Sequence, residues 1–494
     1  MVILAPDELH FVLFPLMAQG HIVPMVDFAR ILAQRGATIT LVTTPLAANR
    51  FRPAIARAVE AKLKIRLVEL HLQLAEVGLP DGCETLDKLP SSESSAKLFL
   101  AMDLLEQSAE DLIRELSPPA DCIISDYFFP WTTNVAQRFN IPRLVFHGPG
   151  CFWLLCMHAI FTSNILEGIK SDTERFMLPG LPNKIEVTKL HIFGSSEKPS
   201  ADQNGFWARA IEADKAAYGI VVHTFNELEP AYVKEFSKAR DTKVWCIGPV
   251  SLCNKDDQDI AERGNKAAIN EHECLKWLDE REPGSVLYVC LGSLIRVSTQ
   301  QAIELGLGLE LTKQPFIWCI RNKTEELEKW FSDQEFDERV KDRGLIVHGW
   351  APQVLILSHG AVGGFLTHCG WNSTLEAVCA SVPMITWPHF ADQFLNEAFI
   401  VEILKIGVRI GVEVPVDPFS REDKAEALVK KDDVKTAIEC LMKEDGDEAE
   451  QRRKTVKKLA EMAKIAMAEG GSSYVSISSL IQDIFHYQRR DIQH

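Results

Sequence analysis

The chain has 494 residues, of which 46% are hydrophobic and 25% charged, and its formal net charge is −16. This length exceeds what one hydrophobic core usually serves, so we expect two domains. The composition is ordinary for a globular protein and excludes disorder or a fibrous repeat. The acidic balance argues against a nucleic-acid partner and against docking on an anionic membrane.

The cysteines and the N-terminus indicate the compartment. Twelve cysteines lie between Cys83 and Cys440 without a CxxC pair, which favours free thiols in a reducing compartment over disulfides or a zinc site. The first residues lack the basic segment of a signal peptide. The longest apolar stretch, residues 151–161, is shorter than the roughly 18 residues that a membrane span needs. We therefore expect a cytoplasmic protein without a membrane span.

Short apolar runs alternate with helical patterns in the first half of the chain. Residues 10–16 predict a strand, 22–35 an amphipathic helix and 38–44 a second strand. Two further apolar runs, ending at Asp126 and Gly148, also predict strands. Because these strands are apolar almost throughout, they indicate a parallel sheet covered by helices on both faces.

The pattern restarts after a polar, charge-mixed stretch at 252–270. Apolar runs then predict a second series of strands at 285–293, 315–321, 363–368 and 382–387. The predicted organisation is a first domain at 1–250, a linker at 251–270, a second domain at 271–468 and a C-terminal helix at 469–494 that packs back on the first domain.

The predicted fold class is therefore α/β, with two doubly wound, Rossmann-like domains facing across a cleft. Sites in such folds form at the carboxyl ends of the strands. The sequence contains no P-loop, HExxH or GxSxG motif. The glycines around Gly306 lack the third glycine of a dinucleotide fingerprint and lie in a helical pattern, which predicts a packing role. No metal site is predicted.

The most informative segment surrounds His368. The run "GGFLTH" predicts a strand that ends at His368, Cys369 and Gly370 predict a tight turn, and "WNSTLEAV" opens a helix. The exposed N–H groups and the dipole at such a helix start attract anions, the dipole contributing about 0.3–2 kcal/mol. His368, Asn372 and Ser373 would add side-chain donors, so a diphosphate fits there without a metal.

A purely structural interpretation of the same segment stays open. Ser373 and Glu376 have the spacing of a capping box, which would only close the helix. Asp392 could equally be an N-cap, and His368 a hydrogen-bonded residue at a strand end.

The 44 residues from Trp350 to Gln393 open with Trp-Ala-Pro-Gln, contain His-Cys-Gly-Trp-Asn-Ser and close with Asp-Gln. This segment closely resembles the signature of plant secondary-product UDP-glycosyltransferases, an inverting, metal-independent family with the GT-B fold. The resemblance covers essentially the whole chain, including "FPLMAQGHIVPM" and "CIISDYFFPW". Ser381 departs from the family pattern, which commonly has glycine there.

The resemblance implies an O-glycosyltransferase that needs no cofactor besides its UDP-sugar co-substrate. It looks most like the branch that glucosylates triterpenoids, steroids, flavonoids and hormones, and we expect a monomer. Within the UDP site it implies that Trp350 stacks on the uracil, that Ala351 bonds the edge of the base and that Gln353 and Glu376 bind the ribose. The phosphate contacts it implies are Ser293, His368, Asn372 and Ser373, with Gly370 also in the UDP site, and the sugar contacts are Trp371, Asp392 and Gln393. Trp371 and Gln393 match the glucose-using pattern, so UDP-glucose is the expected donor. UDP-glucuronate, UDP-galactose or UDP-rhamnose remain alternatives, as does a catalytically silent binder.

The resemblance also implies a catalytic pair. His21 would remove the proton of the acceptor hydroxyl, and Asp126 would orient its imidazole. Alone, His21 would more often be a capping or surface histidine, and Asp126 a turn residue. Expected acceptor contacts are aromatic or polar side chains of the first domain, namely His147, Phe152, Trp153, Phe128 and Phe129. The alternative for residues 146–161 is a buried core helix.

Overall fold

The computed structural model describes residues 9–91, 93–194, 201–321, 324–416, 429–442 and 446–490. Its described residues form two compact units. The first unit takes residues from 1–154, 197–255 and 464–494, and the second from 155–196 and 256–463. Residues 155–196 therefore group with the second unit, whereas the sequence prediction placed them in the first domain.

Both units consist of strands that alternate with helices. The strands are β1 (His10–Phe14), β2 (Thr38–Thr43), β3 (Ile65–Glu69), β4 (Cys122–Asp126), β5 (Arg143–His147), β6 (Phe176–Met177), β7 (Glu186–Val187), β8 (Gly219–Val222), β9 (Lys243–Cys246), β10 (Val286–Cys290), β11 (Phe316–Ile320), β12 (Gly344–His348), β13 (Val362–Thr367), β14 (Met384–Thr386) and β15 (Gly407–Arg409).

The α-helices range from single turns to the long helices of the C-terminal tail. They are α1 (Gln19–Gln34), α2 (Pro45–Glu60), α3 (Glu93–Asp103), α4 (Glu106–Glu115), α5 (Thr132–Arg138), α6 (Cys151–Thr162), α7 (Lys189–Phe193), α8 (Ala201–Lys215), α9 (Pro230–Arg240), α10 (Asp257–Ala261), α11 (Glu271–Asp279), α12 (Thr299–Thr312), α13 (Glu325–Asp333), α14 (Phe336–Val340), α15 (Gln353–Leu357), α16 (Trp371–Cys379), α17 (Gln393–Ala398), α18 (Lys431–Met442), α19 (Asp447–Met467) and α20 (Ser472–Arg490).

The first unit is built on a parallel sheet in the order β3-β2-β1-β4-β5-β8-β9. The strand β1 ends at Phe14, two residues before the predicted end, and α1 begins five residues later at Gln19. β4 pairs with both β1 and β5. Because parallel strands end at one edge of the sheet, the residues that follow β1, β4 and β5 are neighbours there.

The second unit contains a parallel sheet in the order β12-β11-β10-β13-β14-β15. Helix α12 packs closely on α18, because a Cβ on Gly308 would lie only 2.5 Å from the Cβ of Val434. The glycines of α12 therefore serve packing, as predicted. The prediction of an α/β fold with two parallel sheets is confirmed.

The last helix, α20, packs against the edge strand β9 of the first unit. The Arg35 guanidinium donates to the carbonyl of Tyr474 at 3.0 Å, and Gln488 Nε2 donates to the carbonyl of Asp121 at 2.6 Å. These bonds attach the end of the chain to the first sheet. Among the described residues, no helix combines the length and the apolar character needed to cross a membrane.

Ser381 offers a test of local backbone strain. It follows α16 with a φ of 62°, a left-handed conformation that costs a non-glycine residue about 1–2 kcal/mol. The substitution Ser381→Gly should relieve this strain, with part of the gain offset by the backbone entropy of glycine, about 0.5–1 kcal/mol. We expect the melting temperature to rise by about 1–4 °C in a thermal scan.

The matched control is Ser358→Gly. Ser358 is also an exposed serine at the end of a short helix, but its φ is −75°. Glycine there relieves no strain, so this variant should lower the melting temperature slightly. Equal shifts in the two variants would contradict the strain argument.

Candidate active site

His21 and Asp126 form a hydrogen-bonded pair in the first unit. His21 lies in the first turn of α1, and Asp126 is the last residue of β4. Their Nδ1 and Oδ2 atoms are 2.8 Å apart. A carboxylate oxygen only accepts, so Nδ1 donates and Nε2 is the basic nitrogen of the neutral ring. The side chain of His21 is 26% exposed and that of Asp126 only 1%.

Backbone contacts hold this pair in place. The second carboxylate oxygen of Asp126, Oδ1, accepts from the backbone N–H of Phe128 at 3.2 Å. Gly148 follows β5 and lies so close that its added Cβ would sit 3.8 Å from Nδ1 of His21. The ring of Phe128 stands edge-on to the imidazole, with centroids 5.7 Å apart. The imidazole is therefore oriented by a buried carboxylate and enclosed by its neighbours.

Two of the five predicted acceptor contacts lie in the core. Phe129 is 2% exposed and packs against Phe14, and Phe152 is fully buried with its ring 4.9 Å from that of Tyr232. This burial argues against an acceptor role for the two rings. At Phe152, the alternative of a core helix describes α6 better.

The other three predicted acceptor residues differ in their exposure and in their contacts. Phe128 and Trp153 are partly exposed, and Phe128 contacts His21. His147 is buried, and its Nε2 lies 2.9 Å from Oδ1 of Asp214. Phe128 therefore has the best position to contact an acceptor at His21.

Sequence reasoning missed Glu229, which caps the start of α6. Its two carboxylate oxygens accept from the backbone N–H groups of Cys151 at 2.9 Å and Phe152 at 2.6 Å. Burial raises the pKa of Glu229 to about 7. No local motif reveals this cap, because the carboxylate lies 77 residues from Phe152 along the chain.

In the second unit, the predicted anion-binding turn joins β13 to α16. Cys369 has a left-handed φ of 64°, and Gly370 is the N-cap of α16 without a side-chain cap. The capping-box alternative is therefore wrong. Ser373 and Glu376 instead accept hydrogen bonds from Nε2 of Gln353, at 2.9 Å and 2.7 Å. Three predicted UDP-binding side chains thus form one connected group at the start of α16.

The imidazole of His368 lies between two glycines. An added Cβ would lie 2.5 Å from Nε2 of His368 at Gly292 and 2.3 Å from it at Gly370, so a side chain at either position would require the imidazole or the backbone to move. Burial and the nearby charge of Arg321 lower the pKa of His368 to about 4, which keeps the ring neutral. Its Nδ1 has no hydrogen-bond partner within the part of the chain that the structure describes.

Arg321 is a second residue that sequence reasoning missed. Its guanidinium lies over the ring of Trp350, 4.5 Å from the centroid, and NH1 donates to the carbonyl of Ser293 at 3.0 Å. One cation therefore links Trp350, the predicted base-stacking ring, to Ser293, a predicted phosphate contact. Ala351 follows Trp350 and is buried.

Arg263 is the third residue that sequence reasoning missed. Its NH1 forms a very short ion pair with Oε1 of Glu376, the residue predicted to bind the ribose. Both side chains are less than a tenth exposed. The predicted linker thus contributes a charge to the predicted donor site, and nothing in the spacing of the sequence signalled this.

The predicted sugar-binding residues lie around α17 and the start of α16. The Oε1 atom of Gln393 accepts from the backbone N–H groups of His389 and Phe390, at 2.8 Å and 3.2 Å. Asp392 occupies the N-cap position of α17 but makes no side-chain cap. Its Oδ2 accepts instead from Nδ2 of Asn396 at 2.7 Å.

Asn396 connects α17 to the anion-binding turn. Its Nδ2 donates to the carbonyl of Cys369 at 2.9 Å. Trp371 opens α16 next to that turn, is 5% exposed and packs against Phe399. Among the described residues, no three His, Cys, Asp or Glu side chains cluster as a metal site would require.

The chain is similar to known glycosyltransferases over almost its whole length. Residues 263–444 match the family model "UDP-glucoronosyl and UDP-glucosyl transferase". UDP-glycosyltransferase 73E1 of Stevia rebaudiana is 69% identical over 482 residues, which cover 97% of both chains.

Two solved structures share the architecture. The crystal structure of Glycyrrhiza uralensis UGT73P12, complexed with glycyrrhetinic acid 3-O-monoglucuronide, has a TM-score of 0.89 and 34% identity, and the match covers 98% of this chain and 97% of that one. Phytolacca americana UGT2, complexed with UDP-2fluoro-glucose and pterostilbene, has a TM-score of 0.75 and 26% identity over 96% and 99%.

The fold and these similarities define a GT-B enzyme that uses a UDP-activated sugar. The chain belongs to the plant family 1 UDP-glycosyltransferases. The predictions of the family, the fold class and the enzyme class are confirmed. The roles of the individual site residues stay predictions, now with a defined geometry.

The contact between Gly370 and His368 predicts the effect of one added methyl group. Gly370→Ala places a Cβ 2.3 Å from Nε2 of His368, so the imidazole or the turn must move. We expect the affinity for UDP, measured by titration calorimetry, to fall about 10- to 100-fold, as for the loss of a hydrogen bond to a charged group.

The control is Gly360→Ala, at a position in the same unit where an added Cβ would meet open space. This variant should bind UDP as the unaltered protein does. Unchanged affinity in Gly370→Ala would show that the packing of His368 does not govern diphosphate binding.

Proposed function

We propose that this enzyme transfers glucose from UDP-glucose to a hydroxyl of a lipophilic small molecule and forms a β-glucoside. The observation that carries the proposal is the 2.8 Å bond between Nδ1 of His21 and Oδ2 of Asp126. A histidine that a carboxylate orients and that is partly exposed at a strand edge has the properties of a general base. The family membership provides the donor class, a UDP-sugar, which the deprotonated acceptor oxygen would attack.

The proposed reaction is a single displacement. Nε2 of His21 takes the proton of the acceptor hydroxyl as its oxygen attacks the anomeric carbon, and the bond between that carbon and the diphosphate oxygen breaks. Attack from the face opposite UDP inverts an α-linked donor to a β-product. Asp126 stabilises the imidazolium that forms. A general base of this kind typically contributes about 10²–10⁴-fold to the rate.

The leaving diphosphate is proposed to bind at the start of α16. The N-cap is Gly370, which brings no side chain, so the first N–H groups of the helix are accessible to an oxyanion. The neutral imidazole of His368 and the hydroxyl of Ser373 would add donors there. Such preorganised donors match the negative charge as it develops on the diphosphate.

Two considerations support glucose as the transferred sugar. Trp371 and Gln393 match the pattern of glucose-using members. The side-chain carbonyl oxygen of Gln393 accepts from two backbone N–H groups, so its amide nitrogen points away from them. In addition, Phytolacca americana UGT2 was solved with UDP-2fluoro-glucose.

An apolar acceptor is supported by the surroundings of His21. The ring of Phe128 is in contact with the imidazole and is itself surrounded by other aromatic side chains. A hydroxyl carried on an apolar body would bury hydrocarbon there as it reaches the base, gaining about 25 cal/mol per Å². The related Glycyrrhiza uralensis structure contains glycyrrhetinic acid 3-O-monoglucuronide.

The test is a mass-spectrometric screen of triterpenoid, steroid, flavonoid and hormone alcohols with four donors, namely UDP-glucose, UDP-glucuronate, UDP-galactose and UDP-rhamnose. We expect products that gain one hexose with UDP-glucose, and release of UDP in equal amount. His21→Ala should lower the rate at least about 10²-fold without changing the affinity for UDP. His71→Ala, at an exposed histidine of the same unit, should leave the rate unchanged.

Each alternative has its own signature in this screen. Products formed only with another UDP-sugar would refute glucose as the donor. UDP binding without release of UDP from any acceptor would indicate a silent binder. Normal turnover in His21→Ala would remove this residue as the base.

Metal chelation provides a separate test. The proposed diphosphate site consists of helix N–H groups and neutral side chains, so no divalent cation is needed to balance the leaving charge. We expect excess EDTA to leave the rate of UDP release unchanged. Strong inhibition that added Mg²⁺ or Mn²⁺ reverses would show that a metal acts in the reaction.

A further inference from the structure

An aromatic cluster lies next to the proposed base. It consists of Phe99 on α3, Phe128 after β4, and Phe206 and Trp207 on α8. The ring of Phe99 is nearly parallel to those of Phe128 and Phe206, with centroids 5.3 Å and 5.1 Å away. Trp207 stands edge-on to Phe128 at 5.6 Å and is 40% exposed. Phe128 also contacts His21. Through Phe128, the aromatic side chains of α8 are therefore connected to the proposed base.

A buried charge network holds the last turn of α8. Oδ1 of Asp214 lies 2.9 Å from Nε2 of His147 at the end of β5, and its Oδ2 lies 2.7 Å from NH1 of Arg240 at the end of α9. Burial alone would raise the pKa of Asp214, but His147 and Arg240 hold the pKa below its usual value. Asp214 is therefore a charged anchor between a helix and a strand end.

A second buried cation connects the same turn to the strand of Asp126. NH1 of Arg143 donates to the carbonyl of Ala213 at 2.9 Å, and its Nε donates to Oγ of Ser125 at 2.9 Å. Burial lowers the pKa of Arg143 to about 10, although Asp214 and Asp126 oppose this. The end of α8 and the end of β4 are thus joined through buried hydrogen bonds.

Glu212 and Asp214, the two carboxylates near the end of this helix, differ in their surroundings. Glu212 pairs with Lys215 at 2.9 Å, but these side chains are 74% and 63% exposed, and such surface pairs stabilise little. Asp214 is 8% exposed. Removal of its charge would leave Arg240, whose side chain is 17% exposed, without one partner, and the last turn of α8 would move to compensate.

We propose that Asp214 is a positioning residue for the acceptor. By anchoring α8 it keeps Phe206 and Trp207 against Phe128, and this aromatic surface holds the apolar body of a large acceptor whose hydroxyl faces His21. The inference rests on the proposed function, since it assigns the acceptor side of the same reaction. It predicts selectivity by size, because a single-ring phenol reaches His21 without touching Trp207.

The experiment compares Asp214→Asn with Glu212→Gln, the same charge removal at the exposed carboxylate of the same helix. KM and kcat are measured with UDP-glucose and either a steroid alcohol or a single-ring phenol. For the steroid alcohol we expect Asp214→Asn to raise KM about tenfold, as loss of an aromatic contact and its buried surface would, with little change in kcat. The phenol should keep its KM, and Glu212→Gln should keep both.

Trp207→Ala is the second variant, because an exposed side chain can be removed without a change in the core. It should raise the KM for the steroid alcohol while that for the phenol stays unchanged. An equal loss for both acceptors in Asp214→Asn would overturn the proposal, since general damage to the fold explains it. An unchanged KM for the steroid alcohol in Trp207→Ala would also overturn it.

A binding measurement separates this inference from the proposed function. Quenching of tryptophan fluorescence gives the dissociation constant of the steroid alcohol with UDP present and no turnover required. A constant about tenfold weaker in Asp214→Asn than in Glu212→Gln supports the positioning role, and equal constants refute it. Absence of UDP release in the unaltered protein would refute the transferase proposal alone.

Discussion

The proposed donor site depends on the close packing of one imidazole against two glycines. His368 directly follows β13 of the second sheet, and its ring occupies the space where Gly292 and Gly370 would carry side chains. Because β10 and β13 are neighbours in that sheet, the turns that follow them meet at this ring. The start of α16 has no side-chain cap, and its N–H groups are the proposed anion site. A larger residue at either glycine is incompatible with this arrangement.

Local patterns in the sequence were sufficient for the framework of the fold and much of the site. Apolar runs indicated the strands, and parallel strands place the residues after them at one edge. His21 and Asp126 could therefore be expected near each other although 105 residues separate them. The capping box failed for a physical reason. Its spacing is correct, but the helix begins at Gly370, so Ser373 and Glu376 lie inside the first turns, where their side chains bind Gln353.

What the sequence could not reveal were the charged partners from distant segments. Arg321 and Arg263 contact predicted donor-site residues, and Glu229 caps α6. Each does so from a distant segment, and no spacing rule connects these residues to their partners. Aromatic composition had the same limit, since it shows that rings are present but not which way they face. Phe128 and Phe129 are adjacent, yet the first contacts His21 and the second fills the core.

Given the predicted role of Glu376 in ribose binding, its ion pair with Arg263 would influence how the enzyme exchanges nucleotides. In the structure, the carboxylate assigned to the ribose hydroxyls already has a cationic partner from within the chain. An arriving nucleotide would then displace part of the Arg263–Glu376 interaction. Its affinity would therefore reflect the difference in free energy between the contact of Glu376 with the ribose and its contact with Arg263. Arg263 would thus compete with the ribose for Glu376 and lower the affinity for the product UDP. Because a glycosyltransferase must release UDP in every catalytic cycle, this competition by Arg263 would speed turnover.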